Sequence, residues 1–137
     1  MNHPNLNWLA GDALKSATEQ NGMWVLRFKS GATLSVESMW RIIDNGVLNA
    51  TSFDHGQQFG LAKPFDCVAA LERLQIFSIS AVTVREGTAD IDLQFGDTHV
   101  LEVVATSAGY ESWSAKHPQF GSVIVSSGGK LVAFKNV

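Results

Sequence analysis

Glu111 stands between Tyr110 and Trp113 in the run Gly109-Tyr110-Glu111-Ser112-Trp113, a carboxylate flanked by two large aromatics in a glycine-led, serine-rich break. Apolar neighbours disfavour the charged form of a carboxyl group and raise its pKa, the condition that makes an acid useful in catalysis or ligand binding. The same residues also admit a structural role. Tyr110 and Trp113, each with roughly 150 to 250 Å² to bury, would plug the end of a sheet while Glu111 pairs with an arginine such as Arg41. Both roles stay open on sequence, and a site requires at least one of these groups to reach solvent. Trp40 and Arg41 join Tyr110, Glu111 and Trp113 as a candidate aromatic and acidic binding surface, because tyrosine and tryptophan are enriched at binding hot spots.

Asp54 and His55 lie in a polar, glycine-broken loop, where the carboxylate could orient the imidazole as a base. An Asp-His pair before glycine is as readily a turn, and no G-x-S-x-G elbow supplies a nucleophile. Asp90, Asp92 and Glu102 should share one face of a hairpin, where carboxylates can hold a divalent cation but more often form a solvated face, here balanced by Arg85. Histidines at 3, 55, 99 and 117 show no short ligand spacing, so no metal is expected. Cys67 falls on the apolar stripe of a helix, which points its thiol inward. No Walker loop or dinucleotide fingerprint is present, and no cofactor is expected.

At 137 residues the chain is expected to form a single domain, 1–137, with one core. A hydrophobic fraction of 45% and a charged fraction of 17% are those of a globular protein. The net charge of −3 leaves no basic stripe for nucleic acid, and no amphipathic basic helix suits a membrane surface. No apolar run approaches the roughly 18 residues that cross a bilayer, and the first residues lack signal-peptide character, so a cytoplasmic location is expected. One cysteine permits no internal disulfide.

The elements that must carry these residues read mostly as strands. Alternation on either side of Gln20-Asn21-Gly22 favours a three-residue loop pairing Thr18 with Trp24, Ser16 with Leu26 and Leu14 with Phe28. The same reasoning at Lys29-Ser30-Gly31 pairs Leu26 with Leu34 and Trp24 with Val36. The third strand continues from Ala32 to Ile42 with a bulge near Glu37 and Ser38, and a loop at Asp44-Asn45-Gly46 sets Ile42 beside Leu48 and Trp40 beside Ala50. A helix spans Pro64 to Gln75, with Cys67, Val68, Leu71 and Leu74 on its apolar face. Strands follow around Ile79 and Val84, with a bulge at Ser80-Ala81, and around Ile91 and Leu101. Regular patterning then stops from Ser107 to Phe120. A last hairpin sets Val123 and Val125 against Leu131 and Ala133 across Ser127-Gly128-Gly129. The pattern Leu-x-Phe, five residues, Leu-x-Val occurs at Leu26 to Val36 and again at Leu93 to Val103, which hints at related half-sheets. The expected fold is mainly β (α+β): a strongly curved antiparallel sheet or partly open barrel of about nine strands with one helix packed on it.

The hairpin at Leu26 to Val36, the Trp40-Arg41 pair, the strand Leu101-Glu102-Val103 and the Gly109 to Trp113 segment together resemble a group of small, uncharacterised bacterial proteins. The resemblance spans about residues 22 to 113. It implies a compact bacterial cytoplasmic domain with no established activity, similar to small immunity proteins that neutralise toxins, and it carries over no catalytic residue. The functional expectation is a non-enzymatic binding module acting on a protein partner or on itself as a homodimer. The alternative is a small-molecule binder or hydrolase, with a cavity of roughly 300 Å³ or more between helix and sheet and Glu111, or Asp54 and His55, as acid or base.

Overall fold

The computed structural model of the protein describes residues 5–120 and 122–135; His3 lies outside them. The strands form two antiparallel sheets. One has six strands in the order β1 (Leu14–Gln20), β2 (Met23–Phe28), β3 (Thr33–Val36), β9 (Glu111–His117), β10 (Ser122–Ser127), β11 (Lys130–Lys135). The other has five, in the order β5 (Val47–Thr51), β4 (Met39–Asp44), β8 (His99–Val104), β7 (Ile91–Phe95), β6 (Ile79–Val84). The chain is therefore mainly antiparallel β with one short α-helix, and among the described residues the ladders close no barrel.

Two corrections account for eleven strands where nine were expected. The long third strand is two strands: after Val36 the chain leaves the six-stranded sheet, and β4 enters the other. The carbonyl of Ser112 accepts both N–H groups at that corner, from Glu37 at 2.9 Å and Ser38 at 3.3 Å. The segment Ser107–Phe120, expected to be irregular, contains β9, whose Trp113 and Ala115 pair with Val36 and Leu34. Its period of two is muted because its buried positions are Ser112, Trp113, Ala115 and His117: Ser112 and Trp113 are adjacent, and only Trp113 carries a strong hydrophobic signal.

The hairpin at Lys29-Ser30-Gly31 has the expected register, Leu26 with Leu34 and Trp24 with Val36. The other two early turns are corrected to two-residue Asn-Gly loops. Asn21 and Gly22 have φ of 52° and 83°, Asn45 and Gly46 have 52° and 80°, the mirror-image turn that matches strand twist. Glu19 thus pairs with Trp24 and Ile43 with Leu48. A bulge in each hairpin then restores the apolar phase, bringing Leu14 opposite Phe28 and Ile42 opposite Ala50. The last hairpin also turns on two residues, pairing Ser126 with Leu131 and Ile124 with Ala133; the side chains of Val123 and Val125 lie outside the described residues. The bulge between Ile79 and Ala81 and the pairs Leu93 with Leu101 and Ile91 with Val103 are as expected.

One core is shared by both sheets. Trp24, Leu26, Phe28, Leu34, Val36 and Trp113 meet Trp40, Ile42, Ile91, Leu93, Phe95, Leu101 and Val103, all buried. The α-helix α1 (Cys67–Glu72) is shorter than expected and continues as a 3-10 turn, Arg73–Ile76. Asp66 caps it, accepting from the Ala69 N–H at 3.1 Å. The helix packs on β1 and β5 and buries Cys67, Ala70 and Leu71, and the 3-10 turn buries Leu74; burying a leucine contributes about 1.5 to 3 kcal/mol. At a separate corner the start of β6 meets the residues ahead of β1, where Ile79 exchanges hydrogen bonds with Gly11 and Asp12 at 2.8 Å each. Among the described residues no helix is long and apolar enough to cross a membrane.

Candidate functional site

The sequence-predicted residues do not converge on one surface. Trp40 and Trp113 are buried, so the aromatic and acidic surface expected from Trp40, Tyr110, Glu111 and Trp113 is corrected to two core residues and two exposed ones. Trp40 stands edge to face with Trp24, centroids 5.0 Å apart. Trp113 is the plug, its indole N–H donating to the Ala89 carbonyl at 2.8 Å. Tyr110 is 82% exposed, on a turn in which the Ser107 hydroxyl accepts the N–H groups of Gly109 and Tyr110. Glu111 is also exposed. Arg41 is not its partner: cross-strand pairing places Arg41 opposite Glu102, and the two side chains meet at 2.6 Å.

Asp54 and His55 are brought to the same loop but do not form a catalytic pair. Asp54 belongs to a capping box, accepting from the Thr51 N–H at 2.9 Å at the start of the 3-10 turn Ser52–Asp54. The Nδ1 of His55 accepts the backbone N–H of Cys67 at 3.1 Å, its Nε2 lies 3.8 Å from Glu19, and its ring stands edge-on to Trp24 at 5.1 Å. The Cys67 thiol donates to the Thr51 carbonyl at 3.2 Å. Burial, then the charges of Asp54 and Asp66, push that thiol up to about 11, the reverse of what a nucleophile needs. Each group is thus part of a clasp joining the end of β5 to the start of α1.

The clasp supports a projecting loop. Gly56 N–H donates to the Phe65 carbonyl at 2.9 Å and Phe65 N–H to the Gln57 carbonyl at 2.7 Å, closing the base. At the tip, Leu61 N–H donates to the Gln58 carbonyl at 2.7 Å, and between them Phe59 and Gly60 have φ of 47° and 73°. Glycine adopts that conformation freely, whereas a phenylalanine does so at a cost of roughly 1 to 2 kcal/mol. The side chain so held is 64% exposed, and Phe53 and Leu61 on the same loop are 71% and 51% exposed. These three residues were not singled out in the sequence; an aromatic directly before glycine inside a polar loop was the available signal.

Asp90, Asp92 and Glu102 do share the outer face of the five-stranded sheet, opposite the buried Ile91 and Leu101. Asp92 pairs across the ladder with Glu102 and Thr83, and the row with Arg41 borders a shallow depression of about 340 Å³. Burial, then Glu102 and Asp90, raise the Asp92 carboxyl, with Arg41 opposing. Asp90 is already engaged, accepting the Ala105 N–H at 2.8 Å. The cavity between α1 and the sheet is only about 40 Å³, lined by residues such as Ala70 and Leu74 and by neither Glu111, Asp54 nor His55, which corrects the expected pocket. Comparison with protein-family models, curated proteins and solved structures finds no match to this chain.

Proposed function

We propose that the protein is a non-enzymatic binding module that engages a protein partner through the loop between β5 and α1. The observation that carries this is Phe59: a bulky side chain in a left-handed conformation, exposed at the tip of a loop clasped at its base. Strain of that kind persists when the surroundings impose it, and a backbone already held in one conformation has less freedom to lose when the loop docks. Engagement of Asp54, His55 and Cys67 in structural hydrogen bonds supports binding over catalysis. The bacterial, cytoplasmic setting and the likeness to small immunity proteins belong to the same proposal. So does a partly open barrel, in which the Ala13 and Ser78 bridge joins the sheets at one corner.

Phe59→Asn tests it, because asparagine tolerates the left-handed region. The variant is expected to fold with stability unchanged or raised by about 1 kcal/mol. A partner co-purified from the native host by the wild type should bind it roughly thirtyfold more weakly, the loss of a hot spot worth about 2 kcal/mol. Light scattering on both proteins shows whether that partner is a second copy. Retention of the partner at wild-type strength would refute the loop as the binding surface.

A further inference from the structure

The six-stranded sheet ends in β11 and the five-stranded sheet ends in β6, and between these two edges lies a cleft of about 690 Å³. Val82, Val84, Ala89 and Leu131 give it an apolar lining, and Arg85, Glu86 and Lys130 stand at its margin. One end is fixed where Gly129 packs so closely on the Gly87 carbonyl that no Cβ fits.

Backbone direction along β6 follows from its ends. Arg85 N–H donates to the Asp90 carbonyl at 2.8 Å, so Arg85 turns toward β7. In an antiparallel ladder successive residues turn their N–H and C=O groups to alternate sides, and the register from Ala81 to Val84 is unbroken. Thr83 therefore turns toward β7, while Val84 and Val82 turn outward into the cleft. Ile79 turns outward too, and there Gly11 and Asp12 take up its backbone groups. Across from Val82 and Val84 no described residue does so. Natural sheet edges are blunted by lysine, proline or a covering element; Ile79 to Val84 contains neither lysine nor proline, and the 3-10 turn Asn7–Leu9 packs against β6, with Asn5 and Asn7 lining the cleft beside Val82 and Val84. Arg85 and Lys130 form no ion pair among the described residues; Glu86 shares their margin, and Arg85 also borders the row Asp90, Asp92 and Glu102.

We infer that this cleft is a strand-docking site: a short extended segment of a partner protein, with alternate apolar residues and at least one carboxylate, pairs with Val82 and Val84 and sets its acid against Arg85 and Lys130. Edge pairing supplies affinity through the main chain, the apolar lining takes alternate side chains, and the cations select an acidic sequence. The inference shares with the loop proposal only the class of partner and stands on a separate surface.

The probe is the blocked peptide acetyl-Val-Glu-Val-Glu-Val-amide, added to the full chain while the Val82 and Val84 amide protons are followed by NMR. Binding is expected to slow exchange of both amides, to weaken by about tenfold when lysine replaces glutamate in the peptide, and to vanish when the peptide backbone is N-methylated at alternate residues. Val84→Pro should fold, because its N–H is outside the ladder, and lose the peptide, whereas Thr83→Pro should unfold. The inference is overturned if no probe binds, if the N-methylated peptide binds equally, or if folded Val84→Pro binds as the wild type does. Should Val84→Pro not fold, the N-methylated peptide decides with the native protein. None of these outcomes bears on Phe59, so the two surfaces fail or stand separately.

Discussion

The indole of Trp113 and the carbonyl of Ala89 join the two sheets through one buried hydrogen bond of 2.8 Å. Trp113 belongs to a central strand of one sheet, and Ala89 lies in the turn between β6 and β7 of the other. Trp113→Phe keeps an aromatic ring but leaves the Ala89 carbonyl unpaired, and should cost about 1 to 3 kcal/mol in urea unfolding. Glu111→Gln, two residues away and exposed, should stay within about 0.5 kcal/mol of wild type. Equal losses would mean that Glu111 is structural.

Cys67 provides a second test. With its thiol buried and pushed up to about 11 from 9.0, the native protein near neutral pH should react with an aromatic disulfide reagent at least about a hundredfold more slowly than the unfolded chain. Rapid labelling of the native protein would show that the clasp between β5 and α1 opens readily.

Asp92 should make stability depend on pH in an unusual direction for a carboxylate. Its folded pKa is raised by burial and by Glu102 and Asp90, so the folded state holds this proton more tightly than the unfolded chain does. The resulting stabilisation is complete below the ordinary carboxylate pKa and is lost as pH rises through the folded value. At neutral pH Asp92 thus opposes folding. Asp92→Asn should be more stable than wild type at about pH 7, with the gain vanishing toward about pH 3. A gain that persisted in acid would have another cause than ionisation.

The sequence carried the coarse fold class, mainly antiparallel β with one helix, though not its division into two sheets, and it carried the hairpin at Lys29-Ser30-Gly31 and the bulge at Ser80-Ala81, because period-two alternation and glycine report on local geometry. It misled at Asn21-Gly22 and Asn45-Gly46 for a specific reason. Alternation counted from the far ends of the strands favours three-residue loops, but each hairpin takes a two-residue loop and corrects its phase with a bulge further along. The corner at Glu37 and Ser38 was visible only as a slip, since a bulge and a change of sheet leave the same trace in one dimension. For the candidate sites, residue type identified Trp40 and Trp113 as important but not their burial, and Arg41 found Glu102 through a register linking residues far apart in sequence. Phe59 was hidden because its significance lies in a backbone angle.

The insertion of β9 between β3 and β10 has a consequence for the chain as it is made. When the meander β1 to β3 first emerges from the ribosome, the outer edge of Thr33 to Val36 has no neighbour, and the residues that follow it go to the other sheet. In the fold β9 covers that edge, so the six-stranded sheet is not complete until the segment from Glu111 onward has been made. Pairings over such separations form slowly, and a bare edge in the interval is a template for another nascent chain. Premature termination ahead of Glu111 would leave that exposure permanent and the core without Trp113, a product fit for a chaperone or a protease.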